Sequence, residues 1–116
     1  MSKKNGNWTI NETENKFENE FFKVSEDKVI PPDGKEGLYA TIVIIEGVAV
    51  LPIDDDGNAY ITRQFRYALG RKNLEAIAGG INKGEPLENA KRETKEELGI
   101  EANEWISLGK IEGINR

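Results

Sequence analysis

Four residues that could bind a cation or an anion lie within the stretch KRETKEELGI near the C-terminal end of the chain, namely Arg92, Glu93, Glu96 and Glu97. On an α-helix, the spacing i, i+3 and i+4 places the three glutamates on one side. Like charges one turn apart repel each other, and a divalent ion held between them would reverse the sign of that interaction. One interpretation of this stretch is therefore a metal site built from carboxylates.

The alternative interpretation is an ordinary charged helix face turned towards water. Lys91, Arg92 and Lys95 alternate with the glutamates, so they could form i, i+4 ion pairs with them. The helix by itself does not decide between the two interpretations.

A helix is predicted over residues 86–98. Pro86 suits the first helical position, and Gly99 suits the left-handed position just beyond a helix. At about 100° per residue, one narrow stripe is predicted to be buried, and its members are Leu87, Ala90, Thr94 and Leu98. The first and last of the three glutamates border this stripe, whereas Glu96 lies further round.

The composition limits the chemistry available. The 116-residue chain carries a formal charge of −5 and contains neither histidine nor cysteine. A metal must therefore bind to oxygen ligands, which favours magnesium, manganese or calcium. No strong basic cluster suggests a nucleic-acid partner. No apolar run is long enough to span a membrane, and MSKKNGN lacks the apolar core of a secretory signal. A cytoplasmic location is expected.

The rest of the chain is predicted to be mainly strands and turns, so that the order strands, helix, strand indicates a mixed α/β or α+β domain. The predicted elements in chain order are a frayed tail (1–7), small strands within 8–30, a loop (31–37), one or two buried strands (38–53, broken near residues 46–47), a turn (54–58), a strand (59–69), a loop (70–73), a short strand (73–78), a loop (79–85), the helix and a final strand (104–113).

The glycine-rich loop that precedes the helix favours the metal interpretation. Together they form GGINKGEPLENAKRETKEELGI (79–100), which resembles the Nudix box, and the matching residues are Gly79, Glu85, Arg92, Glu93, Glu96, Glu97, Gly99 and Ile100. Two features differ from the motif. Six residues separate Glu85 from Arg92, one fewer than in the family, and Thr94 occupies a hydrophobic position. We expect Glu85 itself to be the helix N-cap.

The resemblance extends upstream over residues 48–80, where QFRY (64–67) and LEAIAGG (74–80) are similar to the ADP-ribose pyrophosphatase branch of the family. Ile77 occupies a position at which that branch has proline. The resemblance implies a Nudix-type mixed sheet with the box helix packed on it. It implies a tail and small β dimerisation segment over 1–37 and the Nudix-type domain over 38–116, with the C-terminal part of the usual fold missing.

The resemblance also implies roles for individual residues in the metal site. Glu93 and Glu97 would be the principal ligands of Mg²⁺ or Mn²⁺, and Glu96 would be an additional ligand or a partner that contacts the metal through water. The backbone carbonyl of Ala78 would be a further ligand. Arg92 would hold a carboxylate in place.

For the substrate, the resemblance implies that Arg66 contacts a phosphate, although Arg66 could also be an exposed strand residue. Glu75 would be a substrate or metal-site residue. The glycine-rich loop would let the backbone at Gly79 and Gly80 approach a phosphate or a metal closely. Two aromatic residues, Phe21 and Phe22, could either stack on an adenine across a dimer or pack in the core.

The implied activity is metal-dependent hydrolysis of the diphosphate in ADP-ribose or another ADP-sugar, by a homodimer, giving AMP and a sugar phosphate. Two alternatives remain open. The chain could be a non-catalytic nucleotide-binding module, because its box is shortened and its C-terminal part is missing. It could also be an assembly fragment whose open sheet edge recruits another chain.

Overall fold

The computed structural model describes residues 2–81 and 83–112, and the chain forms two compact units, Met1–Glu46 and Gly47–Arg116. In the sequence analysis, the boundary between the N-terminal segment and the Nudix-type domain was expected between residues 37 and 38. Residues 38–44 instead pair with the sheet of the first unit. A run of β-branched residues predicts a strand but does not say which sheet that strand joins.

The first unit is a four-stranded antiparallel sheet in the order β1-β2-β3-β4. Its strands are β1 (Lys3–Asn5), β2 (Trp8–Glu18), β3 (Phe22–Ile30) and β4 (Gly37–Ile44). The predicted frayed tail was wrong for residues 3–5, because a turn with Gly6 at φ 60° folds β1 back onto β2. Val29 is buried, and Trp8 packs edge-to-face on Tyr39 with ring centroids 5.6 Å apart.

The aromatic pair that the sequence left open lies at the other end of the first unit. Phe22 contacts Phe17, with ring centroids 5.6 Å apart, whereas Phe21 is exposed. Within this unit, Phe22 therefore packs against another ring, and a role in adenine stacking stays a prediction.

In the described residues of the second unit there are four short strands and one helix: β5 (Gly47–Val50), β6 (Thr62–Arg66), β7 (Arg71–Glu75), β8 (Ile77–Gly80) and α1 (Pro86–Leu98). Strand β5 pairs with β8, and β6 pairs with β7, both in antiparallel fashion. The helix packs against β8 and β5, and Ile77 of β8 is fully buried. The expected α+β class is confirmed, as are the break near residues 46–47 and the turn at 54–58.

Three predicted elements of the second unit were wrong. The turn of the hairpin spans residues 67–70, so that the predicted loop at 70–73 belongs mostly to β7. Gly79 and Gly80 lie in β8, where they pair with Val48 and Gly47, rather than in a loop. Residues 104–112 form no strand, and the last residue of that predicted strand lies outside the described residues. For Gly79 and Gly80 the outcome depends on a partner strand about 30 residues earlier in the chain.

The helix was predicted correctly at both ends. Glu85 occupies the N-cap position with extended backbone (φ −77°, ψ 151°), but its side chain makes no capping hydrogen bond. Gly99 adopts the left-handed conformation at φ 68°, and its N–H donates to the Lys95 carbonyl oxygen at 2.8 Å. Local signals, a proline at one end and a glycine at the other, therefore determined this element.

The buried stripe was predicted correctly in its centre and wrongly at its beginning. Ala90 and Thr94 are buried, and the Thr94 hydroxyl donates to the Ala90 carbonyl oxygen at 2.7 Å, which satisfies this polar residue. Leu87 is 44% exposed. A 13-residue helix is about 20 Å long, whereas a four-residue strand covers only about 13 Å. The first helical turn therefore extends beyond the strands beneath it.

Within residues 2–81 and 83–112, no helix combines the length and the apolar character needed to cross a bilayer.

Candidate active site

The Glu93 carboxylate lies directly against the backbone of β8 at Gly79. Only 15% of the Glu93 side chain is exposed. A Cβ atom added at Gly79 would lie 2.7 Å from Glu93 Cγ and 2.5 Å from Glu93 Oε1, closer than real Cβ contacts come. The missing side chain of Gly79 therefore makes the space that the carboxylate occupies.

Arg92 holds the carboxylates of the same helix. Its Nη1 donates to Glu93 Oε1 at 3.0 Å and to Glu96 Oε2 at 3.3 Å. Its Nη2 donates to Asn89 Oδ1 at 3.0 Å. Arg92 thus contacts two carboxylates of its own helix. The role that the resemblance implied for it, holding a carboxylate in place, stays a prediction.

The other two glutamates differ in their surroundings. Glu97 is partly buried and accepts a long hydrogen bond of 3.5 Å from Gln64 Nε2 of β6. The Glu96 side chain is 59% exposed and pairs with Arg92. The helix geometry predicted this order, because Glu93 and Glu97 border the buried stripe while Glu96 lies further out.

The donor set suits a hard divalent cation, although the carboxylates are not gathered around one point. All the candidate ligands are oxygen atoms, and Gly79 leaves room for Glu93 beside the strand that contains Ala78. In the part of the chain that the structure describes, no three acidic side chains are close enough to hold an ion. Glu93 is turned to Arg92 and Glu97 to Gln64, so the ligand set stays a prediction.

A second charged cluster lies on the β6–β7 hairpin, where Arg66 and Glu75 form a forked ion pair. Arg66 Nε donates to the two carboxylate oxygens at 2.9 and 2.7 Å, and Arg66 Nη2 also donates to Oε1. Asn73 Nδ2 donates to Glu75 Oε2 at 3.2 Å. The sequence suggested separate roles for Arg66 and Glu75, whereas the structure joins them into one unit.

The hydrogen bonds from Arg66, and then the one from Asn73, lower the pKa of Glu75 to about 2. In turn, the hydrogen bond to Glu75 raises the pKa of the Arg66 guanidinium, and the negative charge of Glu97 adds to this effect. The contribution of Glu97 is smaller than that of Glu75.

The Glu75 pair predicts a specific dependence of stability on pH. Because the folded-state pKa is lowered from 4.5 to about 2, the pair stabilises the protein above pH 4.5, and this contribution is lost as the pH falls towards 2. We therefore expect Glu75→Gln to lower the urea midpoint near pH 6 and to have little effect near pH 2. In a protein that already carries Arg66→Gln, the change in urea midpoint caused by Glu75→Gln should depend much less on pH. A difference between parent and Glu75→Gln that is constant from pH 2 to 6 would contradict the prediction.

Three polar side chains of this region were not assigned roles from the sequence: Gln64, Asn73 and Asn89. Strand alternation offered a signal for Gln64, because it lies two residues before Arg66 and must share its face. Asn73 is likewise two residues before Glu75. For Asn89 the signal was weaker, since asparagine inside a helix is unfavourable and usually has a local reason.

Comparison with known proteins identifies the family of the chain. The NUDIX domain model matches residues 44–115, and the chain belongs to this family. Among characterised relatives, ADP-ribose pyrophosphatase of Mycobacterium tuberculosis (strain ATCC 25618 / H37Rv) is 34% identical over 89 residues, which is 75% of this chain and 43% of the relative. ADP-ribose pyrophosphatase of Bacillus subtilis (strain 168) is 36% identical over 78 residues, 66% of this chain and 42% of the relative.

Two further proteins are similar over most of the chain. The methanol dehydrogenase activator of Bacillus methanolicus is 32% identical over 97 residues, 81% of this chain and 52% of the relative. A solved structure described as an ADP compounds hydrolase superposes on this chain with a TM-score of 0.73 at 27% identity. The superposition covers 89% of this chain and 57% of the chain in the solved structure. The chain thus spans about half the length of the relatives it matches.

Proposed function

We propose that this protein hydrolyses the diphosphate of a nucleoside diphosphate linked to another group, with Mg²⁺ or Mn²⁺ as cofactor. ADP-ribose or another ADP-sugar is the proposed substrate, and AMP and a sugar phosphate are the products. The observation that carries this proposal is the Glu93 carboxylate, seated against Gly79 and held by Arg92, one helical turn from Glu97. The names of the two pyrophosphatase relatives support the substrate class.

In the proposed reaction, the oxygen of a water molecule forms a bond to one phosphorus atom of the diphosphate. The bond from that phosphorus to the bridging oxygen breaks, and the bridging oxygen leaves with the other phosphate. A bound divalent ion supplies charge neutralisation and lowers the pKa of water. Glu93 and Glu97 would hold this ion, with the Ala78 carbonyl and Glu96 as further ligands.

The hairpin cluster is suited to binding the anionic part of the substrate. Glu75 occupies the Nε and Nη2 edge of Arg66, while 43% of the Arg66 side chain stays exposed. Among the described residues, Arg66 Nη1 has no hydrogen-bond partner in the hairpin, so it is available to a phosphate oxygen. Glu75 would thus orient Arg66, while the backbone at Gly79 and Gly80 would lie beside the phosphates.

A homodimer in the cytoplasm is the proposed state of the protein. Strand β4 lies at the edge of the four-stranded sheet and carries exposed apolar side chains, namely Leu38, Ile42, Val43 and Ile44. An apolar edge of this kind favours pairing with another strand.

The proposed activity is tested by incubating the protein with ADP-ribose and with a panel of other nucleoside diphosphate sugars. We expect AMP to be released with Mg²⁺ and not with EDTA, at a rate proportional to enzyme concentration. Reaction in ¹⁸O-labelled water should place the label in one of the two phosphate products. If no member of the panel yields a phosphate-containing product with either metal, the hydrolase proposal is overturned.

A non-catalytic nucleotide-binding module is the second candidate. It is favoured by the carboxylates that are not gathered into one site and by the loop with one residue fewer. Calorimetry separates the two candidates. Binding of ADP-ribose in the presence of Mg²⁺, with no turnover over hours, would favour the binding module.

A further inference from the structure

Asn89 is a buried amide that joins the loop before α1 to the arginine beside the carboxylates. Only 4% of this residue is exposed, although asparagine is usually a surface residue. Its Nδ2 donates to the carbonyl oxygens of Lys83 at 3.0 Å and Glu85 at 2.9 Å. Its Oδ1 accepts from Arg92 Nη2 at 3.0 Å. Both donor hydrogens and the acceptor of the amide are therefore used inside the protein.

The hydrogen bond from Arg92 to Asn89 also fixes the direction of the rest of the guanidinium. The group is a rigid plane, so holding Nη2 on Asn89 orients Nη1 towards Glu93 Oε1 at 3.0 Å. Without Asn89, Arg92 would still have two glutamate partners, and the exposed Glu96 could draw it away from Glu93. Asn89 therefore gives Arg92 a third, buried partner beside the two carboxylates that its Nη1 contacts.

Asn89 also contacts the loop that precedes α1, which has one residue fewer than the motif it resembles. Six residues separate Glu85 from Arg92, and the Glu85 side chain caps no backbone N–H of the helix. The Glu85 carbonyl oxygen instead accepts from both the backbone N–H of Asn89, at 3.2 Å, and its side chain. Among the described residues, the link from the loop to Arg92 runs through Asn89.

We propose that Asn89 is a positioning residue, which orients Arg92 and thereby the Glu93 carboxylate for metal binding. The importance of this role for turnover rests on the proposed hydrolase function, whereas the geometry can be tested without substrate. A positioning role differs from simple support of the fold, because it changes the motion of the Arg92 side chain and the affinity for metal.

The first measurement is the NMR spectrum of the Arg92 guanidinium, assigned by its loss in Arg92→Lys. We expect separate Nη proton signals in the parent, because rotation is restricted, and averaged signals in Asn89→Ala. Asn89→Asp keeps an oxygen facing Arg92 but loses both donors to the Lys83 and Glu85 carbonyl oxygens. Because the contact that restricts Arg92 is kept, its Nη signals should stay separate. Glu88→Gln, one residue earlier and exposed, is the matched control and should match the parent. Asn89→Leu serves as a second variant should Asn89→Ala not fold.

The second measurement is the affinity for Mn²⁺ without substrate, followed by kcat and KM. Loss of a residue that orients a metal ligand costs about 10- to 100-fold in affinity or activity. We expect a weakening in this range for Asn89→Ala, with recovery in Asn89→Asp. A lowered melting temperature with unchanged Arg92 signals and unchanged Mn²⁺ affinity would overturn the proposal, because Asn89 would then be merely structural.

The two proposals can fail separately. If the parent hydrolyses nothing while Asn89→Ala averages the Arg92 signals, the hydrolase function fails and the positioning role stands. If the parent hydrolyses ADP-ribose while Asn89→Ala leaves the signals, Mn²⁺ affinity and kcat unchanged, the positioning role fails and the function stands.

Discussion

Replacing Glu93 or Glu97 by glutamine is expected to lower Mg²⁺-dependent release of AMP from ADP-ribose by more than about 100-fold. Loss of a residue that only orients a metal ligand lowers metal affinity or activity by up to about 100-fold. Loss of a ligand itself should lower them at least as much. Glutamine keeps the size of the side chain but removes the negative charge that attracts the cation. We would measure initial rates at saturating Mg²⁺ together with Mn²⁺ affinity.

The exposed glutamates provide graded controls for this experiment. Glu96 is 59% exposed and lies further from the strand, so Glu96→Gln should have a smaller effect than either of the two principal substitutions. Glu88→Gln removes an exposed charge from the first turn of the same helix and should leave the rate within about twofold of the parent, because screened surface charges have small effects. Equal turnover by Glu93→Gln and the parent would contradict the assignment.

The features that the sequence predicted well are those determined by nearby residues. The helix from Pro86 to Leu98 was correct at both ends, because proline fixes the first turn and Gly99 adopts a left-handed conformation at little cost. The burial order of the three glutamates followed from helical geometry alone. The spacing of these glutamates along the chain is therefore sufficient to place the candidate carboxylates on one side of the helix.

The features that could not be predicted depend on partners distant in sequence. Gly79 and Gly80 resemble loop residues by composition, yet they form a strand because β5 supplies their hydrogen-bonding partners. The Arg66–Glu75 pair requires the register in which Thr62 lies opposite Glu75. A shift of one residue would turn these side chains to opposite faces. Composition gives no direct signal for such a register.

The contacts between the site residues could not be predicted from the sequence either. It marked Arg92 as a holder of a carboxylate, but it did not show that Arg92 is shared between Glu93 and Glu96. Nor did it show that Asn89 is buried with every hydrogen-bonding group satisfied. These contacts depend on side-chain conformations that are set only when α1 packs on β8.

Gly79→Ala is the second substitution expected to have a large effect. Its backbone is not in the left-handed region, so alanine is permitted by the conformation of the strand. The added Cβ, however, would lie 2.7 Å from Glu93 Cγ, which forces the glutamate side chain away from β8. We expect a folded protein with Mn²⁺ affinity and AMP release reduced about 10- to 100-fold, as for other changes that misplace a ligand. Circular dichroism and a metal titration would measure the two properties separately.

Two other glycines make this test specific for the contact with Glu93. Gly37 has no atom within 4 Å of an added Cβ and an ordinary backbone, so Gly37→Ala should match the parent in affinity and rate. At Gly47 the added Cβ would lie 2.9 Å from the Gly79 carbonyl oxygen. Gly47→Ala should therefore disturb the pairing of β5 with β8 and lower thermal stability together with metal affinity. If Gly79→Ala instead binds Mn²⁺ as tightly as the parent, the contact between Glu93 and the backbone at Gly79 is not needed for metal binding, and the prediction is contradicted.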